Sequence, residues 1–491
     1  MAREIELKLS LSPGAVSAVR RHPLLGPAQG RQRLYSVYYD TPELSLLRQG
    51  LGVRQRREGG RWLQAVKTAE PASGGLASRR EWESPAQPGV FDFSVIDDAA
   101  LRTLATGCQP ELQALFVTDC WRTVWVVQHG AAIIEVALDR GRVIADGQSL
   151  PICEVELELC EGTLADLFAF ALILQRDLPL QPMVESKAER GYRLFLKTPA
   201  LPHKAGIIDL SREMNAVEAF RLIALSCLEQ LQRNVPGAMA GSQPEFVHQS
   251  RVALRRLRSA LHLFAPVLPG TFVAPATQGW KALAQVLGEV RDWDVFGAAT
   301  LPALCRRFPD DAMLRSLGGA AEQQSAAARQ RLLAVLTSRE YSQLLLGFVT
   351  ALHAVPAHPA DLWSLAELRL RERAWRALRR ARRHARLSDA GRHRMRIDFK
   401  KLRYALEFFA PLLPRKALKP YLAVLAQVQG VLGDFNDLAT AGRLLQVLAA
   451  EIGAPLNPAI GPWLDHERET LAVACTDALA LWIHADPPWR A

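Results

Sequence analysis

The sequence predicts an α+β protein of two modules. A mostly antiparallel β half with flanking helices comes first, followed by an all-α half built from two copies of one helical bundle. Three observations carry this reading. Up to about residue 200, short segments alternate apolar and polar residues between turn formers such as Gly59-Gly60, Gly74-Gly75, His129-Gly130 and Asp146-Gly147. After Thr198-Pro199-Ala200-Leu201-Pro202 the pattern changes to long segments rich in Ala, Leu and Arg, with apolar residues at three and four spacing. Two motifs of this second half then recur at one fixed offset, the mark of a duplicated unit.

With 491 residues, 49% of them hydrophobic, the chain can bury more than one core. The expected domains are 1–200 and 205–485, with repeats of about 209–350 and 360–485 in the second. The net charge of +10 is unevenly spread: residues 1–200 carry 23 basic and 24 acidic side chains, residues 201–491 carry 37 and 26. Such asymmetry assigns different partners to the two halves, the second facing a polyanion. Seven scattered cysteines form no CxxC pair, so reduced thiols are expected and neither a disulfide nor a zinc site. Apolar runs fall well short of the ~20 residues a membrane span needs, and no basic leader precedes Glu4. A cytoplasmic protein is the expectation.

The opening strand, Glu4-Ile5-Glu6-Leu7-Lys8, places its three charges on one face. By itself that face reads either as a solvated edge or as half of a site for a divalent cation beside a phosphate chain. Further strands are expected at 33–39, 51–57, 62–67, 79–83, 121–128, 132–138, 142–145 and 153–159, with helices near 11–21 and 164–174. Together they imply a large sheet able to close on itself. Glu154, Glu156 and Glu158 form a second acidic face. Three glutamates on one strand repel unless exposed, protonated or neutralised, and bound Mg²⁺ or Mn²⁺ is the simplest neutraliser. Arg54, Arg56, Lys67, Arg80, Arg122, Lys187 and Arg190 supply the cations that a multi-oxygen phosphate chain requires. No Ser-His-Asp set, P-loop or nucleotide-binding glycine pattern is present. Phosphoryl transfer to water by positioning and metal activation is the chemistry this inventory supports.

An ordered set of motifs now bears on family. Glu4-x-Glu6-x-Lys8, Tyr38-Tyr39-Asp40-Thr41-Pro42, Gly52-Val53-Arg54-Gln55-Arg56, Trp62 to Lys67, Ile134-Glu135-Val136-Ala137-Leu138-Asp139-Arg140-Gly141, Glu154-x-Glu156-x-Glu158 and Ser186-Lys187-Ala188-Glu189-Arg190-Gly191-Tyr192 resemble the CYTH, or triphosphate tunnel metalloenzyme, family. The resemblance implies an eight-stranded antiparallel β tunnel that acts on triphosphates with Mg²⁺ or Mn²⁺. It implies Glu4, Glu6, Glu154 and Glu156 as metal ligands, and Lys8, Arg54, Arg56, Lys67, Arg122 and Lys187 as the grip on phosphate. Glu158, Arg80 and Arg190 are further tunnel candidates. Ala65 departs from the family pattern, which has a threonine there.

In the second half, His248-x-x-Arg251-Val252-x-x-Arg255-Arg256-x-Arg258 recurs as His393-x-x-Arg396-Ile397-x-x-Lys400-Lys401-x-Arg403. Leu287-Gly288-Glu289-Val290-Arg291-Asp292 likewise recurs as Leu432-Gly433-Asp434-Phe435-Asn436-Asp437, and both pairs are offset by 145 residues. The basic positions span about 160° of a helix, with Leu254, Leu257 and Leu261 on the other side, so one face packs and one binds. Residues 371–403 hold 14 basic and 3 acidic side chains, a density that repels itself unless an anion is near. This part resembles the CHAD domain over roughly 205–485, which implies inorganic polyphosphate on His248, Arg251, Arg255, Arg256, Arg258, His393, Arg396, Lys400, Lys401 and Arg403. Asp292 and Asp437 are expected to orient those arginines. Aromatic residues are only 7% of the chain and few fall among the basic stretches, so specific nucleic-acid binding is not expected.

The resulting expectation is an inorganic triphosphatase, splitting tripolyphosphate into pyrophosphate and phosphate, with an attached polyphosphate-binding domain. The alternatives are a thiamine or nucleoside triphosphatase or an adenylate cyclase of the same fold, and a non-catalytic polyphosphate-binding scaffold.

Overall fold

A computed structural model describes residues 3–68 and 74–490. The chain separates into two compact units, residues 1–202 with 337–354, and residues 203–336 with 355–491.

In the first unit eight strands close into a barrel: β1 (Arg3–Ser10), β2 (Gly30–Asp40), β3 (Leu51–Glu58), β4 (Arg61–Thr68), β5 (Leu76–Ala86), β6 (Gln113–His129), β7 (Ala132–Ala145) and β8 (Gln148–Glu161). Their order is β5-β4-β3-β2-β6-β7-β8-β1, and β1 also pairs with β5 to seal the ring. All these pairings are antiparallel. The two-residue β9 (Gln181–Pro182) runs beside the end of β1. Closure leaves no unpaired edge, and alternation sends every second side chain inward.

The barrel is accompanied by α1 (Val16–Arg20), α2 (Ser45–Arg48), α3 (Ala99–Cys108), α4 (Leu164–Asp177) and α5 (Lys187–Phe195). On the outside, an apolar cluster of Leu46, Val53, Val66, Trp82, Phe93, Ile96 and Ala105 fixes α2 and α3 beside β3 to β5. Buried Gln55 and Gln64 pin the connecting loop to the barrel wall. Gln55 Nε2 donates to Val90 O at 2.7 Å, and Gln64 Nε2 donates to Asp92 O at 2.6 Å. These amide bonds tie the loop carbonyls to buried side chains of the wall.

Two expectations change. The segments expected at 132–138 and 142–145 are one strand, β7. A fully buried charge, Asp139, interrupts the apolar alternation at its centre. Gly141 stays in the strand because a Cβ there would lie 2.1 Å from Asp119 O. The helix expected at 11–21 shrinks to a 3₁₀ turn, Pro13–Ala15, followed by the five residues of α1.

The second unit holds two sets of four helices. The first is α6 (Ala216–Ala240), α7 (Pro244–Phe264), α8 (Gly270–Val295) continuing through a π turn into α9 (Leu301–Arg307), and α10 (Ala312–Leu336). Helix α11 (Arg339–Ala354) belongs instead to the first unit, where it packs on α4 and β9 and stacks His353 on Phe168 with ring centroids 5.5 Å apart. The second set is α12 (Leu362–Ala381), α13 (Asp389–Phe408), α14 (Arg415–Ile452) and α15 (Ile460–Ile483). Helices α7 and α13, which carry the repeated basic motif, pack against each other. Among the described residues, no helix is long and apolar enough to cross a membrane.

Candidate functional sites

The interior of the barrel is a continuous network of buried charge. On β1, Glu6 meets the Lys8 ammonium at 3.2 Å and Arg79 of β5 at 2.8 Å. Glu4 accepts from Lys67 of β4 at 2.8 Å, and Lys67 also meets Glu81 at 2.8 Å. Arg122 of β6 donates to both oxygens of Asp139, at 2.8 and 2.6 Å, and to Glu156 at 2.5 Å. These contacts follow from register, since Arg122 stands opposite Asp139 and Asp139 opposite Glu154.

At one point three carboxylates converge on a single cation. The Lys187 ammonium lies 2.7 Å from Asp139, 2.5 Å from Glu154 and 2.9 Å from Glu156. All three acids are buried, and each offers an oxygen within 4.8 Å of the others. Burial works against the charge of Asp139 and Glu156, but the cations prevail. Arg122 and then Lys187 hold the Asp139 carboxyl at about 2, while Lys187, Arg122 and Lys8 keep Glu156 well below the usual carboxylate range. Glu158 behaves oppositely: burial, Glu4 and Glu135 push it up to about 7. Hard oxygens fixed around one cation-sized place suit a divalent metal ion.

Helix α5 supplies Lys187 and Arg190, and its whole motif is explained locally. Ser186 and Glu189 form a capping box at its N-terminus. Arg190 reaches Glu154. Tyr192 donates to Asp40 at 3.2 Å, and Asp40 accepts the backbone N–H groups of Thr41, Leu46 and Leu47. Gly191 lets the helix lie against Phe116, whose ring a Cβ would meet at 2.0 Å. Gly191→Ala is therefore expected to push α5 outward, costing about 1–3 kcal/mol as overpacking does and withdrawing Lys187 from the carboxylates. A thermal melt and a metal titration of the variant check both effects.

Of the sequence candidates, Glu4, Glu6, Glu154, Glu156, Lys8, Arg54, Lys67, Arg122, Lys187 and Arg190 all enter this network. Among the described residues Arg56 makes no ion pair with a carboxylate, and its Nε donates to Ser36 at 3.4 Å. Burial, then Arg54 and Arg122, lower its pKa. Arg80 is placed elsewhere: it pairs with Asp98 at 3.0 Å and stacks on Trp82, while its neighbour Arg79 takes the inward position. Asp139, Arg79 and Glu81 were not among the candidates.

The second unit gathers part of its basic set around a cavity of about 130 Å³. His248, Arg251 and Arg255 of α7 face Arg396 and Lys400 of α13, with Arg291, Asp292, Asn436 and Asp437 at its ends. A wider cavity of about 860 Å³ shares His248, Arg255 and Lys400 and adds Arg256 and Arg403. The repeated Leu-Gly step has a steric purpose in the first copy, where a Cβ on Gly288 would lie 2.2 Å from Arg251 Nη1. Burial, followed by Arg255, Arg396 and Arg251, pushes Lys400 down to about 6. Asp437 and Asp292 oppose this crowding through their attraction for Arg251.

The remaining motif residues separate. Arg256 donates to Gln230 at 2.9 Å and lies over Phe408. Arg403 pairs with Glu407 at 2.7 Å. His393 hydrogen-bonds Asn436 at 3.2 Å and lines neither cavity. Arg258 and Lys401 line neither cavity, and Lys401 lies in the field of Arg373, Asp398, Arg376 and Arg258.

The family model described as the CYTH domain matches residues 2–192, and the model of the CHAD domain matches residues 222–446. The chain joins a CYTH domain to a CHAD domain. A stretch of 226 residues is 35% identical to the inorganic triphosphatase of Haemophilus influenzae, covering 44% of this chain and 63% of that protein. The match thus spans less than two thirds of the relative. The crystal structure of the CHAD domain from the plant Ricinus communis is 33% identical over 59% of this chain and 99% of its own, with a TM-score of 0.48. A proposed adenylyl cyclase from Hippeastrum, reported with a dominant triphosphatase activity, is 18% identical over 40% of this chain and 98% of its own, with a TM-score of 0.31. In CYTH-domain terms, the acidic cluster and surrounding cations are the tunnel interior. In CHAD-domain terms, the basic cavities lie along the helices that carry the repeated histidine motif.

Proposed function

We propose that the CYTH domain hydrolyses inorganic tripolyphosphate to pyrophosphate and phosphate with Mg²⁺ or Mn²⁺, and that the CHAD domain binds inorganic polyphosphate. The observation that carries the first part is the convergence of Asp139, Glu154 and Glu156 on one ammonium inside a tunnel lined with further cations. These three carboxylates would hold the divalent ion, with Glu4 and Glu6 available along the same wall. A bound ion supplies charge neutralisation and acidifies a coordinated water.

The rest falls to the chain. Lys8, Arg54, Arg56, Lys67 and Arg122 bind and orient the phosphate oxygens, and among the described residues Arg56 has no ion-paired carboxylate to release. Positioning and charge are the main demands of phosphoryl transfer, so no nucleophilic side chain is required. A chain of bare phosphates fits walls that present charge on every side.

The test is phosphate release from tripolyphosphate, ATP and thiamine triphosphate, with Mg²⁺ or Mn²⁺ and then with EDTA. Metal-dependent release, preferring tripolyphosphate, is expected. No release from any substrate, release indifferent to EDTA, or a marked preference for an organic triphosphate would each overturn part of the reading.

Support for the second part is the cation cluster around Lys400, which Asp292 and Asp437 offset only in part. An arriving polyanion restores the charged amine, so binding near neutral pH takes up a proton. Affinity then falls as pH rises from about 6 toward the ordinary lysine range. Calorimetry in buffers of different ionisation enthalpy is expected to show uptake approaching one proton per site, and zero uptake or release would count against it.

A further inference from the structure

Lys8 sits at a break in the barrel wall. Along β1, pairing with β5 ends at Leu7 opposite Leu76, and pairing with β9 begins at Leu9 opposite Pro182. Lys8 falls between the two ladders, and its backbone groups on that side are taken up one by each flank. Its N–H donates to Gly75 O at 2.8 Å, and its carbonyl accepts from Met183 N at 2.9 Å. The two flanks also meet each other, since a Cβ on Gly75 would lie 2.7 Å from Lys8 O and 3.1 Å from Pro182 Cβ. The Lys8 ammonium stands 3.2 Å from Glu6 and 3.6 Å from Glu156. Its place therefore depends on how firmly the Gly74-Gly75 turn and residues 181–183 are held.

Helix α11 holds both from behind. Val349 is fully buried, and a Cβ on Gly74 would lie 2.3 Å from Val349 Cγ2, so the helix closes directly on the backbone of the turn. The same helix packs on β9. Its seat is apolar: Leu345, Leu346, Val349 and Leu352 of α11 are buried, as are Leu167, Phe168, Ala171 and Leu174 of α4, on which it packs. Yet α11 falls inside the stretch matched by the CHAD model, far beyond the end of the CYTH match at residue 192. A helix that sequence assigns to one domain braces the strand junction of the other.

We propose that α11 is a positioning element of the CYTH tunnel, in which Val349, bearing on the Gly74-Gly75 turn, and the packing on β9 fix the backbone of Lys8 and so preset its ammonium for the phosphate oxygens of the substrate. The role given to Lys8 rests on the tripolyphosphate reading, whereas the mechanical link does not. Presetting matters for rate, because a displacement of about 1 Å at a binding group can cost on the order of a hundredfold.

The experiment uses the full chain and two variants, Val349→Ala, which removes the methyl groups facing Gly74, and Val349→Thr, which keeps the branched shape but buries a hydroxyl. Both are expected to melt below the parent. In Val349→Ala the amides of Lys8 and Met183 should exchange hydrogen about tenfold faster or more while those of β6 and β7 keep the parent rate, and in Val349→Thr all of them should keep it. Turnover of tripolyphosphate, as kcat/KM, should fall about ten- to a hundredfold in Val349→Ala. In a Lys8→Gln background the same change should have almost no further effect, because both act through one group. Unchanged exchange at Lys8 and Met183, faster exchange in Val349→Thr as well, or an equal loss of turnover with and without Lys8 overturns the proposal. A parent chain that releases no phosphate, with faster exchange in Val349→Ala confined to Lys8 and Met183, overturns the tripolyphosphate reading and upholds the link.

Discussion

Asp139→Asn is expected to reduce metal-dependent phosphate release from tripolyphosphate by about two to three orders of magnitude, the usual effect of removing one preorganised electrostatic group from a site. Asp139 is fully buried and holds Arg122 through two bonds while contributing one of three oxygens around the Lys187 ammonium. Neutralising it leaves Glu154 and Glu156 as the remaining pair and leaves the cations in excess. Stability should fall as well. Breaking a buried ion pair costs about 3–5 kcal/mol when one partner is removed, and the isosteric amide retains an acceptor for Arg122, so a smaller loss is expected. A thermal melt separates the two effects, because a folded variant without turnover locates the defect in the chemistry. Glu4→Gln and Glu6→Gln are the companion variants. If they abolish turnover and Asp139→Asn does not, the ion is held by β1 rather than by the trio.

That comparison matters because the carboxylates were not equally legible in the sequence. Strand alternation was enough to place Glu4, Glu6 and Lys8 on one face and Glu154 and Glu156 on another. Asp139 belongs to the motif from Ile134 to Gly141 but draws no site role from the sequence, because Arg140-Gly141 beside it reads as a break between strands. The missing signal was the two-residue turn Asp146-Gly147. Counting outward from it pairs Ala145 with Gln148 and puts Asp139 directly opposite Glu154. The choice between Arg79 and Arg80 lay beyond such counting. It depends on β5 closing the barrel against β1, with Arg79 opposite Glu4. Closure is a long-range event that local pattern does not encode.

The helical half shows the complementary limit. The offset of 145 residues identified equivalent positions, but equivalence in sequence did not make them one surface. An arc of about 160° on a helix reaches neighbours on two sides. Hence Arg255 and Lys400 meet in a cavity, Arg256 turns to Gln230, and Lys401 lies in the field of Arg373.

The division yields the second large effect. Arg255→Gln with Lys400→Gln is expected to weaken polyphosphate binding by about a hundredfold or more at low salt, since charge-assisted contacts contribute about 1.5–3 kcal/mol each. The dependence of affinity on salt should also become shallower, because fewer counterions are released when fewer cations meet the chain. The same double change at His393 and Arg403, which lie outside the small cavity, should have a much weaker effect. Stability gives an independent check. Lys400 is crowded by Arg255, Arg396 and Arg251, so neutralising two members of that group should leave the melting temperature unchanged or raise it. A variant that loses binding while melting no lower than the parent would identify the cluster as a binding device whose charge the fold tolerates at a cost. A variant that loses both would return these residues to a structural role.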